Sequence, residues 1–150
     1  MPRYPKIDDD EFYKKIGRLF NKYRIKDKKY KLKEICYPKK FKLQVPQQFV
    51  SEFINPNTPY KGLLIYHQIG AGKTCAAVSI AENWKKKRHI LVVTPASLMG
   101  NFYDELRSQC TGDEYLTPND RAIFDGLKPA SSKYNDIIKK IDKKIDKFYT

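Results

Sequence analysis

The sequence predicts an α/β fold, with a parallel sheet flanked by helices, on three observations. Gly62, Leu63, Leu64, Ile65 and Tyr66 form an unbroken apolar run, the pattern of a strand buried on both faces of a parallel sheet. Ile90, Leu91, Val92 and Val93 form a second such run, broken by Pro95. Between them a glycine-bearing loop opens into a stretch with helical spacing, so the order reads strand, loop, helix, strand, helix, the signature of an open α/β sheet. At 150 residues and 41% apolar content the chain suits one core-forming domain, which excludes collagen-like, disulfide-rich and wholly disordered classes.

The elements before the first strand are set apart by charge. Residues 1–44 hold fifteen basic and six acidic side chains, so +9 of the net +13 lies there and a composition boundary falls near Gln44. The expected division is a basic N-terminal extension, 1–44, and an α/β part, 45–150. Within the extension Phe12, Ile16, Leu19, Phe20 and Tyr23 recur at helical spacing behind Asp8, Asp9, Asp10 and Glu11, acids that suit a helix N-terminus. Residues 23–43 then interleave lysine with Tyr, Ile, Leu and Phe. Two readings stand open for them: a grip on a phosphate backbone with aromatic stacking, or a half-buried element with a solvated basic face.

From residue 73 to residue 84 the spacing predicts a helix carrying Ala76, Ala77, Ile80, Ala81 and Trp84 on one side. Its basic end, Lys85, Lys86, Lys87 and Arg88, complements the helix dipole. Residues 98–108 read as another helix and residues 111–136 as polar loop containing Gly112, Pro118, Gly126 and Pro129. Ile137, Ile138, Ile141, Ile145 and Phe148 mark a final amphipathic helix rich in lysine. Cys36, Cys75 and Cys110 lie far apart with no CxxC spacing, so neither a zinc knuckle nor a disulfide framework is expected, and a reducing compartment fits. No apolar run approaches the ~20 residues of a bilayer span, and residues 1–10 lack a signal sequence's apolar core. The expectation is a soluble intracellular protein without a membrane partner. Its basic balance, with a pI near 9.6, favours polyanions.

The segment that carries chemistry is His67, Gln68, Ile69, Gly70, Ala71, Gly72, Lys73 and Thr74, which matches the second half of the phosphate-loop pattern G-x-x-x-x-G-K-[ST], with His67 where that pattern has its first glycine. Gly70 and Gly72 can adopt positive φ, letting consecutive N–H groups face one concavity at a helix N-terminus, where dipole and unpaired donors favour phosphate. Lys73 then neutralises β/γ-phosphate charge and the Thr74 hydroxyl coordinates magnesium, with Cys75 following them into the helix. His67 either touches the nucleotide or shapes the turn.

Residues 55–77, centred on this loop, resemble superfamily 2 helicases and nucleoside triphosphatases of nucleocytoplasmic large DNA viruses, including poxvirus transcription proteins and giant-virus helicases. The Lys, Ile, Tyr and Asn-rich composition is similar to that of mimivirus-like proteomes. The resemblance implies a RecA-like lobe that binds ATP and Mg2+. It extends upstream to Pro46, Gln47, Gln48, Phe49 and Val50, implying that a glutamine reads adenine, Gln47 or Gln48, since a side-chain amide supplies paired donor and acceptor. Downstream Val93, Thr94, Pro95, Ala96, Ser97 and Leu98, with Asn101, Phe102 and Glu105, resemble the family's motif Ia. This implies a sequence-independent hold of Thr94, Pro95, Ala96 and Ser97 on an RNA or DNA backbone.

The complete enzymes couple nucleic-acid-stimulated ATP hydrolysis to unwinding or translocation. That chemistry needs an acidic DExH box and arginines from a second lobe, and neither is present; Asp113 and Glu114 follow Gly112 rather than an apolar strand, and Asp125 and Asp136 have no better context. The expectation is therefore an incomplete lobe, truncated before the acidic box, whose place would be the host cytoplasm or the virion. The alternatives are a noncatalytic ATP- or nucleic-acid-binding module and an interaction subunit completed by a protein carrying the missing motifs.

Overall fold

A central helix, Lys73–Trp84, organises the computed structural model, which describes residues 4–25, 41–66 and 68–150. In chain order the helices are α1 (Phe12–Leu19), α2 (Val45–Phe53), α3 (Lys73–Trp84), α4 (Met99–Arg107), α5 (Pro118–Asp125) and α6 (Ser132–Ile145). Short 3-10 turns at Asn21–Tyr23, Ala96–Leu98 and Gln109–Thr111 connect them. The lysine-rich stretch from residue 26 to residue 40, on which the phosphate-grip reading rests, lies outside the described residues.

The parallel sheet expected from the two apolar runs is absent among the described residues, and the fold there is helical. Residues 61–66 join no ladder, and Leu64 and Tyr66 are 89% and 92% exposed where a two-sided buried strand would hide both. Ile90 forms one parallel bridge with Tyr149. Its amide donates to the Phe148 carbonyl, the Thr150 amide donates to the Ile90 carbonyl, and the Val92 amide donates to the Thr150 carbonyl. The alternate residues Leu91 and Val93 face solvent. The physical reason is that an apolar run states only a wish for burial; a strand exists when neighbouring strands supply its ladder, and one short contact with residues 148–150 does not make a sheet.

Two apolar clusters flank α3. Val78 of α3 packs with Leu106, Tyr115, Leu116, Ile141, Ile145 and Tyr149, gathering α4, α6 and the segments beside them. On the other side Ile80 packs against Ile16, Phe20, Phe53, Ile54 and Tyr60, joining α1 and α2. The aromatic rings there stack or meet edge to face; Phe53 lies on Tyr60 with centroids 4.4 Å apart and a 10° interplanar angle. Such pairs add ~0.5–1.5 kcal/mol beyond the area they bury. α3 is therefore covered from two directions, and its buried residues are Cys75, Ala76, Val78 and Ser79 rather than the single stripe the spacing suggested; Ala77 is exposed.

The α1 pattern holds, with Ile16 and Phe20 buried. Asp9 accepts from the Glu11 amide at 2.9 Å and pairs with Lys15 at 2.7 Å, and the lysine together with that amide holds its carboxyl below the usual range. The stretch expected as loop contains α5. Thr117 caps it by accepting from the Asp120 amide, and Pro118 starts its first turn, a capped start that is legible in Thr-Pro-x-Asp. No helix among the described residues is long and apolar enough to cross a membrane.

Candidate functional site

The loop before α3 adopts the geometry its glycines were expected to allow. Gly70 has φ 79° and Gly72 φ 69°, both in the left-handed region that costs other residues energy. The Ala71 amide donates to the Gln68 carbonyl at 3.3 Å to close a turn, and the Ala76 amide donates to the Gly72 carbonyl at 3.0 Å to open the helix. No side chain caps the α3 N-terminus. Gln68, Ile69, Gly70, Lys73 and Thr74 are exposed, Ala71 and Gly72 half-buried, and Cys75 buried. Ile69 is 101% exposed. The Lys73 ammonium donates back to the Gln68 carbonyl at 3.0 Å, so the lysine crosses the loop it follows. His67 lies outside the described residues.

The structure brings Gln47, twenty-five positions upstream, onto this loop. Its Nε2 donates to the Gly72 carbonyl at 3.1 Å and its Oε1 accepts from the Gln44 amide at 2.7 Å, the latter capping α2. A Cβ built on Gly72 would overlap Gln47 Nε2. Gly72 is thus needed twice, for its dihedral and for the close approach of the amide. Gln47 is 5% exposed. Gln48 turns elsewhere, donating to the Leu43 carbonyl at 2.6 Å.

Thr94, Pro95, Ala96 and Ser97 enter α4 through the 3-10 turn Ala96–Leu98, and the last three are exposed. The Thr94 hydroxyl donates to the Pro95 carbonyl at 3.2 Å. Thr94 also lines a cavity of about 120 Å³ with Val92, Met99, Phe102 and Tyr149. Asp113 and Glu114 are exposed, as their loop context suggested.

Two features beside the loop escaped the sequence reading. Cys75 and Cys110 are joined by a disulfide, with Cα atoms 5.4 Å apart, which corrects the expectation of isolated thiols. Their 35-residue separation hides the pairing; only the packing of α3 against the 3-10 turn Gln109–Thr111 brings them together. Glu105 completes a group of three whose ligand atoms lie within 4.8 Å of one another, and Glu105 Oε1 is 2.9 Å from the Cys110 sulfur.

The second is Lys85, expected as part of a solvated basic run and found buried, its side chain 4% exposed. It pairs with Glu82 at 2.6 Å and Glu114 at 3.2 Å, and Glu82 accepts from the hydroxyls of Tyr115 at 3.0 Å and Tyr149 at 2.5 Å. Burial opposes the Lys85 charge, but the Glu82 and Tyr115 partners outweigh it and hold the ammonium above its usual range. Burial, assisted by the Glu82 charge, pushes Tyr115 up to about 12. Glu82 three residues before Lys85 was a readable hint of the pairing.

Comparison with known proteins returns relatives from large DNA viruses. The chain is 54% identical over 147 residues, 98% of its length, to a candidate ATP-dependent RNA helicase of Acanthamoeba polyphaga mimivirus, of which it covers 26%. It is 37% identical over 95 residues, 54% of its length, to a candidate helicase of Invertebrate iridescent virus 3, covering 10% of that protein. Over 46 residues, 31% of its length, it is 48% identical to an early transcription factor large subunit homologue of African swine fever virus, covering 4% of it. No family profile and no solved structure matches the chain. The chain spans about a quarter of the mimivirus relative and is similar to it along almost every residue, and over shorter stretches it is similar to other helicase-named proteins of large DNA viruses.

Proposed function

We propose that this chain is the ATP-binding portion of a viral ATP-dependent helicase, with the turn of residues 68–75 as its triphosphate cradle. The single observation that carries the reading is the pair of left-handed glycines, Gly70 and Gly72, leading into an uncapped, exposed helix N-terminus. That arrangement brings the backbone amides of a helix start and the positive end of the α3 dipole to one place, which suits phosphate. Lys73 adds a positive charge beside it; a bond to a phosphate oxygen in place of the one to the Gln68 carbonyl exchanges a neutral acceptor for a charged one, the stronger bond.

The donor set also fits a magnesium ion. Thr74, exposed in the first turn of α3, would offer one hydroxyl, with phosphate oxygens and water completing the shell. When bound, the ion neutralises charge across the phosphate oxygens. Gln47, on the flank of the loop, would read adenine in this proposal. After its bonds to Gly72 and Gln44 the amide retains one N–H and one lone pair, the complementary set that an adenine edge requires. The entry to α4 at Thr94, Pro95, Ala96 and Ser97 would hold an RNA or DNA backbone without reading its sequence. The whole reaction, ATP hydrolysis coupled to unwinding, draws on groups beyond those described, and a protein carrying an acidic box is the partner this reading asks for.

Competition binding with a fluorescent ATP analogue tests it. ATP should displace the analogue better than GTP, and Gln47→Ala should remove most of that preference. Equal displacement by both nucleotides from the unsubstituted chain would overturn the adenine assignment, and no displacement by either would overturn the cradle.

A further inference from the structure

We infer that Cys75 and Cys110 form a thiol–disulfide site whose oxidation state sets the order of the first turn of α3. Cys75 is the third residue of that helix, directly after Lys73 and Thr74, and is 4% exposed. Cys110 lies in the 3-10 turn Gln109–Thr111, is half-buried, and belongs to the neighbouring α4 unit. The bond therefore ties the turn that begins the candidate cradle to an element it would otherwise meet only by packing.

Three observations make the bond reversible rather than merely structural. Cys110 is half-buried and Cys75 buried, so the Cys110 side is the less covered one for an attacking thiolate. Cys75 sits at a helix N-terminus, where the dipole stabilises the thiolate that leaves. Glu105 Oε1 stands 2.9 Å from the Cys110 sulfur, a contact that gains nothing from a disulfide but becomes a hydrogen bond once Cys110 is a thiol. The co-reactant is a small dithiol. Its thiolate attacks the Cys110 sulfur, the S–S bond breaks, and Cys75 departs with the electron pair and takes a proton. The second thiol of the reagent then displaces Cys110, which is protonated and donates to Glu105. Two protein thiols and one oxidised cyclic reagent result.

In the oxidised chain the first turn of α3 is tied covalently to the Gln109–Thr111 turn; in the reduced chain that tie is packing alone. Because preorganised donors bind more tightly, oxidation favours the nucleotide, a consequence that rests on the function proposed above. The test uses the full chain exposed to oxidised glutathione or to a dithiol. Alkylation under denaturing conditions, read by intact mass, should count one free thiol in the oxidised form and three in the reduced form. Oxidised material should melt roughly 5–15 °C higher, and its amides at residues 73–75 should exchange hydrogen more slowly. ATP affinity should drop about 3–10-fold on reduction, while Cys110→Ser should show none of these responses.

Three labelled thiols after oxidant treatment, equal melting of the two forms, or unchanged exchange at residues 73–75 would each overturn the inference. So would zinc held stoichiometrically by the reduced cluster and blocking its oxidation, since the three side chains would then be a metal site. Absence of ATP binding in both forms would sink the nucleotide reading and its coupling to the bond, while labelling, melting and exchange would still decide the site itself.

Discussion

Replacing Gly72 with alanine probes the place where the loop, α2 and α3 meet. Alanine at φ 69° costs ~1–2 kcal/mol from the left-handed conformation alone. Its Cβ would also overlap Gln47 Nε2, the far end of a flexible side chain, so Gln47 swings away instead of the backbone moving. That breaks the 3.1 Å bond to the Gly72 carbonyl and leaves a buried amide under-satisfied, a further ~1–2 kcal/mol. Gly72→Ala should therefore cost about 2–4 kcal/mol. In a Gln47→Ala background the overlap is gone, and the same change should cost only ~1–2 kcal/mol. Urea unfolding of the four proteins in this double-mutant cycle should give a coupling of ~1–2 kcal/mol between the two positions. Costs that add to within ~0.5 kcal/mol would refute the account of why a glycine stands there.

Other expectations follow from the buried network and the core. Glu82→Ala leaves the Lys85 ammonium with only Glu114 as a charged partner beside the Tyr115 hydroxyl, takes the acceptor from two phenols, and should cost ~3–5 kcal/mol in urea unfolding. Lys85→Met removes the charge together with its desolvation and should cost markedly less, so the reverse ranking would contradict the network. The folded state holds the protons of Lys85 and Tyr115 more tightly than the unfolded chain does. Their stabilisation is complete below pH ~10 and declines as pH rises towards about 12 for Tyr115. Circular dichroism across that window, followed with tyrosinate absorbance, should show unfolding and ionisation together, and Tyr115→Phe should lessen the dependence. Leu106→Ala, at a fully buried position of the larger cluster, should lower stability by ~2–5 kcal/mol by thermal or urea unfolding.

Helices were legible wherever periodicity and caps coincided. Phe12, Ile16 and Phe20 announce α1, and the stretch after Gly72 announces α3 with the bounds later found. α5 was legible in Thr117, Pro118 and Asp120 but was obscured by the prolines and glycines around it. The sheet misled because Leu64, Tyr66, Leu91 and Val93 carry the composition of buried strands without strand neighbours to bury them. The loop's conformation could be read from Gly70 and Gly72, since only glycine adopts positive φ freely. The Cys75–Cys110 bond and the reach of Gln47 to Gly72 could not, because each joins residues 35 and 25 positions apart through tertiary packing that leaves no local mark. Lys85 shows the same limit: a lysine among lysines reads as solvated until Glu82, Tyr115 and Tyr149 close around it.

Calorimetric titration of the full chain with ATP and magnesium tests the central claim most directly. The account predicts saturable one-to-one binding that Lys73→Ala weakens at least tenfold while leaving the fold intact by circular dichroism. No heat of binding from folded protein, or the same affinity for both chains, would contradict it.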